Sequence, residues 1–140
     1  MRLSTRSRYG MRLLLDMAWH YGRGPIQLAV IAKRQGIPLK YLEQIVIPLK
    51  KAHYVQSVRG PRGGHMLAKS PSEINVGEIV FLLERKAQLV ECVNNPEVCE
   101  RSSTCVTRTL WKETTEAICE KLNSISLSDI MERSPTELDL

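Results

Sequence analysis

From Ser4 to Gly22 the apolar side chains recur with a helical beat. Met11, Leu14, Ala18 and Tyr21 share one stripe, with Leu13 and Met17 beside it. A repeat near 3.6 residues predicts an amphipathic helix rather than a strand. Ser4 or Thr5 is placed to cap its start and Gly22 to end it. After the turn "GRGP", the stretch "IQLAVIAKRQG" turns Leu28, Ile31 and Ala32 inward and stops at Gly36, which predicts a short second helix. A third opens at Pro38, since a first helical turn tolerates a missing N–H. It carries Leu42, Ile45, Val46 and Leu49 on one face and Lys40, Tyr41, Glu43, Gln44 and Lys51 around the other. Pro48 interrupts it. Proline there deletes a hydrogen bond and crowds the carbonyl of Gln44, at about 3 kcal/mol, which predicts a kink near Val46–Ile47.

The pattern then changes. Val55 and Val58 begin a strand, "RGPRGG" makes a tight loop with Arg59 and Arg62 at its tip, and "HMLAK" returns, which predicts a β-hairpin. "PSEINVGEIVFLLE" predicts a fourth helix, with Ser72 or Asn75 as its cap and Val76, Ile79, Val80 and Leu83 among its apolar residues. A polar segment follows. Beyond it, "VTRTLWKETTEAICEKLNSI" predicts a long amphipathic helix with Val106, Leu110, Ala117 or Ile118, and Leu122 as its stripe. "SLSDIMER" adds a last short helix capped by Ser128, and the tail "SPTELDL" is expected to be loose. The expected fold is mainly α with a small β-hairpin: a winged helix-turn-helix followed by a long C-terminal helix. In that architecture the third helix enters a major groove and presents side chains to base edges. An arginine at the wing tip reaches a minor groove, where narrow A·T tracts hold strong negative potential.

Charge sharpens this picture. The net charge of +5 hides two unlike halves: residues 1–69 hold 13 Lys and Arg against 2 Asp and Glu, while residues 70–140 hold 7 against 13. The first half is therefore +11 and the second −6. A polycationic half implies a polyanionic partner, nucleic acid above all. No run of eighteen apolar residues suggests a membrane span, and no secretory signal is evident, so the expected location is the cytoplasm, where thiols stay reduced. There is no G-x-S-x-G, no Walker loop and no Cys/His pair in a nucleophile setting, which argues against an enzyme.

Three of the four cysteines, Cys92, Cys99 and Cys105, crowd the polar segment "ECVNNPEVCERSSTC". Soft thiolates on a loop able to wrap a cluster suit iron–sulfur ligation. Zinc prefers closely paired ligands and a fourth donor, and a metal-free set of thiols that senses oxidants directly is a further reading.

Four stretches together, "MRLSTRSRYGMRLLLDMA", "GIPLKYLEQI", "SVRGPRGGHMLAKSPSEINVGEIV" and "CVTRTLW", resemble the IscR-type iron–sulfur winged-helix transcription regulators of bacteria, over about residues 1–130. The resemblance implies a homodimeric, sequence-specific regulator that binds a double-stranded DNA operator and senses iron–sulfur or redox status. Lys40, Tyr41, Glu43 and Gln44 match the reading helix, Glu43 as an acceptor for the cytosine amino group and Gln44 toward adenine or phosphate. Arg59 matches the wing arginine, with Arg62 beside it. Arg2, Ser4, Arg8 and Tyr9 match the start of the first helix near the DNA backbone. Cys92, Cys99 and Cys105 match the thiolates of an iron–sulfur cluster, [2Fe–2S] as the first expectation and [4Fe–4S] as the second. The implied organisation is a DNA-binding unit at 1–84, a cluster loop at 85–105, a dimerisation helix with a short final helix at 106–132, and a flexible tail at 133–140.

The chain also departs from that pattern. Its spacing is C-x6-C-x5-C, where relatives commonly have five residues in the first gap, a change that a loop absorbs easily. Some relatives take a fourth ligand from a histidine three residues past the last cysteine, and here Arg108 stands there. Others use an acidic residue of the partner's first helix, and the matching position is Arg8. Neither arginine offers a lone pair. Cys119 lies about 20 Å along the helix axis from Cys105 and reads as a small buried hydrophobe. Glu97, Glu100, Thr107, a residue of the other subunit, a small thiol or water stay open as the fourth ligand.

Overall fold

The computed structural model describes residues 2–85 and 88–133. Helix α1 spans Thr5–Trp19, α2 Leu28–Gln35 and α3 Leu39–Lys51. Strands β1, Val55–Val58, and β2, Gly64–Leu67, pair antiparallel with Val55 opposite Leu67 and Val58 opposite Gly64. Helix α4 covers Val76–Glu84, α5 Val106–Asn123 and α6 Leu127–Arg133. This is a winged helix-turn-helix with a long helix appended. Residues 134–140 of the expected tail lie outside the described residues.

The core forms where the apolar stripes converge. Leu13 and Leu14 of α1, Ile31 of α2, Leu42, Ile45 and Leu49 of α3, and Ile79 of α4 are buried, and α6 returns Leu127 into the same cluster. Each fully buried aliphatic side chain contributes about 1.5–3 kcal/mol. Several local readings need correction. Tyr21 lies beyond the helix and is exposed, because α1 ends at Trp19, before Gly22. Ile26 is not helical: it pairs its backbone with His65 and so adds a bridge to the wing. The Pro71–Glu73 segment is a 3-10 turn, and Asn75, not Ser72, caps α4 by accepting from the Glu78 amide. Ser126, not Ser128, receives the first free amide of α6, that of Asp129. Helix α3 runs unbroken through Pro48 to Lys51. Gln44, whose carbonyl loses its donor there, lies on the exposed side of the helix, where a missing bond costs least.

One buried acid was legible only as a break in an apolar turn. Asp16 is 2% exposed. Arg34 of α2 grips it with both arms of its fork, Nε to Oδ2 at 2.8 Å and Nη2 to Oδ1 at 2.5 Å. The Gln35 side-chain amide donates to Oδ2 at 2.9 Å, and Arg12 donates in turn to the Gln35 side chain, at 3.1 Å, and to its carbonyl. Arg12 then lies over the Tyr9 ring, which meets Tyr41 of α3 edge to face at 5.7 Å. One carboxylate thus sets α2 against α1, and the chain of contacts ends on α3.

The wing is anchored as firmly. The Tyr54 hydroxyl donates to Glu78 of α4 at 2.6 Å, and its pKa is pushed up to about 12 by burial and then by Glu78. A Cβ on Gly63 would fall 2.1 Å from the Val58 carbonyl, and one on Gly64 would fall 2.4 Å from that of Ile26. The paired glycines of the wing are therefore required by close backbone approach.

Removing the buried acid strands the groups that face it, Gln35 above all, while Arg34, 39% exposed, keeps its contact with water. Asp16→Ala should lose about 3 kcal/mol of stability in urea denaturation. A loss under about 1 kcal/mol would remove the pair as the α1–α2 anchor.

Candidate nucleic-acid interface and cysteine loop

Helix α3 buries Leu42, Ile45, Val46 and Leu49, and this leaves Lys40, Glu43 and Gln44 exposed on the opposite edge. Two clefts flank that edge. One, of about 460 Å³, gathers Thr5 and Tyr9 of α1 with Pro38, Lys40, Tyr41 and Gln44. The other, of about 420 Å³, sets Glu43 beside the start of α2 and Gly64 and His65 of the wing. Burial first, and then the charge of Lys50, lowers the pKa of the His65 imidazole at the base of the wing. Arg59 and Arg62 are exposed at the wing tip.

Ser4 is the cap of α1: its Oγ accepts from the Ser7 amide at 3.2 Å and donates to Glu84 at 2.9 Å, while its own amide donates to Glu84 at 2.8 Å. Its hydroxyl is thus engaged within the protein. Arg2 and Arg8 lie exposed along a groove of about 1100 Å³ between α1, α4 and α5, with Phe81, Trp111 and Ile118 among its walls.

The cysteine loop is built from two 3-10 turns, Glu91–Val93 and Pro96–Val98, and closes onto α5. Cys99 is exposed, and Cys92 and Cys105 are partly so. No three Cys, His, Asp or Glu side chains among the described residues stand together as a metal site. Arg108 ties the loop down. Its Nε donates to the Cys92 carbonyl at 2.8 Å and its Nη2 to that of Val93 at 3.3 Å. Cys105 is the N-cap residue of α5, with its Sγ 3.2 Å from the Thr107 hydroxyl. That hydroxyl first, then the Arg108 amide, holds the Cys105 thiol below its usual range. Ser102 is the one buried residue between Glu91 and Cys105, and its Oγ has no hydrogen-bond partner among the described residues. The donor chemistry suits a soft metal, since three thiols share one loop. Their present positions do not gather them.

Comparison with known proteins matches this architecture. The family model for Rrf2, an iron-dependent transcriptional regulator, matches residues 3–133. The chain belongs to the Rrf2 family. It is 45% identical over 131 residues to protein rrf2 of Nitratidesulfovibrio vulgaris, covering 94% of this chain and 87% of that one. It is 41% identical to the regulator IscR of Serratia proteamaculans, covering 94% and 79%. Among solved structures, IscR of T. potens superposes with a TM-score of 0.79 at 36% identity, covering 96% of this chain and 88% of that one. CymR, the global cysteine regulator of B. subtilis, gives 0.80 at 34%, covering 96% and 98%. As an Rrf2 protein the chain is a DNA-binding transcriptional regulator and not an enzyme. No helix of the described residues is long and apolar enough to cross a membrane.

Sequence reasoning missed the engagement of Asp16 with Gln35, which depends on burial and on a partner in another helix. Thr107 was named only as an open ligand, and its spacing of two from Cys105 at a helix start was the available signal for its effect on the thiol. A lowered thiol pKa enlarges the thiolate fraction at neutral pH. Iodoacetamide should therefore alkylate Cys105 more slowly at pH 7 in Thr107→Val than in the parent, with the gap closing as pH rises past the thiol range. Equal rates at pH 7 would remove Thr107 from the activation of Cys105.

Proposed function

We propose that this chain is a homodimeric, sequence-specific regulator that reads a two-half-site operator and senses iron–sulfur or redox status through Cys92, Cys99 and Cys105. Membership of the Rrf2 family supports the reading. The observation that carries the DNA half is the exposed edge of α3 flanked by the arginine-tipped wing, both within the +11 half of the chain. In this reading residues 1–84 bind DNA, 85–105 sense, and 106–132 pair the subunits. Lys40, Tyr41 and Gln44 meet backbone and bases, and Glu43 accepts from a cytosine amino group. Arg59 and Arg62 enter the minor groove, and Arg2, Ser4, Arg8 and Tyr9 add contacts near phosphates.

A bound cluster, [2Fe–2S] in this proposal, would supply redox and ligand-exchange chemistry responsive to iron supply and oxidants. The chain's own part is to present three thiolates from a loop that closes on loading, so that loop ordering is coupled to occupancy. Arg108 holds the start of that loop to α5, and Asn75 at the head of α4 donates to the Asn123 carbonyl at its far end. The dimer reading rests on an apolar ridge: Val106, Leu110 and Trp111 are 85, 51 and 38% exposed along α5. A second copy covers such a ridge.

A thiol switch without metal is the second reading, favoured by the acidified Cys105 and by thiols that are not gathered. A relative, S. aureus CymR, has been solved in an oxidised form.

The deciding experiment is anaerobic purification with iron and sulfide counts. The parent should absorb in the visible with matching iron and sulfide, and Cys92→Ala should lose both. A colourless, iron-free parent that still binds duplex DNA would leave the thiol switch. Glu43→Ala should relax discrimination at one base pair by about 1–3 kcal/mol in competition binding, more than it lowers total affinity. A loss equal across all sequences would make Glu43 a scaffold residue. Leu110→Glu should sediment as a monomer, and a mutant that stays dimeric would put the interface elsewhere.

A further inference from the structure

We infer that Leu39, with Ala29 beside it, reads the 5-methyl group of a thymine close to the base pair that Glu43 contacts. The inference rests on the reading of α3 as the base-reading helix and deepens it. Its first support is a leucine that the core leaves outside. The other leucines of α2, α3 and the wing, Leu28, Leu42, Leu49 and Leu67, are at most 8% exposed, whereas Leu39, in the first turn of α3, is 39% exposed. Ala29, in the first turn of α2, is exposed as well. Both line the cleft of about 420 Å³ that Glu43 shares with Gly64 and His65 of the wing. A lone exposed leucine is ordinary on a protein surface, so its place decides its meaning.

The second support is that place. Leu39 and Glu43 stand four residues apart, one above the other on one face of α3. Lys40 and Gln44 form the neighbouring stripe and line the other cleft, on the side of α1. A carboxylate repels phosphate, so the stripe that carries Glu43 is unsuited to the DNA backbone. In the major groove the same carboxylate finds amino donors, those of cytosine and adenine. The side chain one turn before it then faces base edges too, and the apolar group on those edges is the thymine methyl. Cations stand on both flanks, Lys40 on one and Arg59 and Arg62 of the wing tip on the other, where phosphates run. The neutral apolar pair lies between them. Four residues of helix rise about 6 Å and base pairs stack at about 3.4 Å, which puts the methyl within about two base pairs of the pair that Glu43 reads.

The test is a double-mutant cycle with one of its two changes on the DNA. An operator half-site selected by the parent from a random pool is rebuilt with each thymine in turn replaced by deoxyuridine, which removes the methyl and keeps the pairing edge. Competition binding at one fixed salt concentration compares the parent, Leu39→Ala and Glu43→Ala. At a thymine within about two base pairs of the pair whose discrimination Glu43→Ala relaxes, deoxyuridine should weaken binding by the parent about fourfold, the effect of one methyl group taken out of water. Leu39→Ala should bind the thymine and deoxyuridine duplexes alike and keep the preference that depends on Glu43. A parent indifferent to every deoxyuridine would overturn the assignment, and that arm needs no altered protein. A Leu39→Ala protein as sensitive as the parent at the same thymine would overturn it too. If Glu43→Ala and Leu39→Ala each lost one constant factor on every sequence, the reading of α3 itself would fall, and this inference with it.

Discussion

The buried carboxylate of Asp16 is the constraint on which the arrangement of this domain depends. A lone charge in an apolar core is expensive, so it persists only where partners surround it. Arg34 and Gln35 supply them from the end of α2, with Arg12 bracing Gln35 from α1 itself. Hydrophobic contact alone lets two helices slide, because it is not directional. A forked arginine on a carboxylate fixes both distance and angle. With α2 so fixed, Gly36 in the left-handed conformation turns the chain into α3. The edge that carries Lys40, Glu43 and Gln44 therefore has a defined pose relative to the wing.

The same economy of fixed points links the basic half to the long helix. The Val76 amide donates to the Ile125 carbonyl at 2.8 Å, and the Leu127 amide to that of Ile74 at 3.0 Å. Ser4, at the start of α1, is bonded to Glu84 at the end of α4. Helix α5 thus joins the core at its C-terminal end, while its N-terminal end holds Cys105 and, through Arg108, the cysteine loop. The proposed coupling would run along this helix, from the loop at one end to the join with α4 at the other, and coupling of this kind is a difference in affinity between two states.

The elements were legible because their signals are local. The 3.6-residue stripes of α1 and α3, Gly36 after α2 and the glycines of "RGPRGG" each reflect backbone geometry that a short window contains. The misreadings have one cause. Tyr21 fits the stripe of α1, yet the helix ends before it. Pro48 predicts a kink from its own ring, yet solvent at Gln44 and packing along Leu42, Ile45 and Leu49 keep the helix whole. Asp16 meets Arg34 eighteen residues away, so its role is not written in neighbouring residues. The three cysteines were legible as chemistry, but their separation in the folded loop was not.

The most direct test of the account is operator binding in both states of the loop. A duplex selected from a random pool would be titrated by fluorescence anisotropy across a range of salt, with metal-loaded and metal-free protein. The account predicts steep weakening as salt rises, from counterion release by the basic half, and an affinity difference of about fivefold or more between the two states. Equal affinity with and without metal, under conditions where both bind, would contradict the claim that this cysteine loop governs the DNA-binding half.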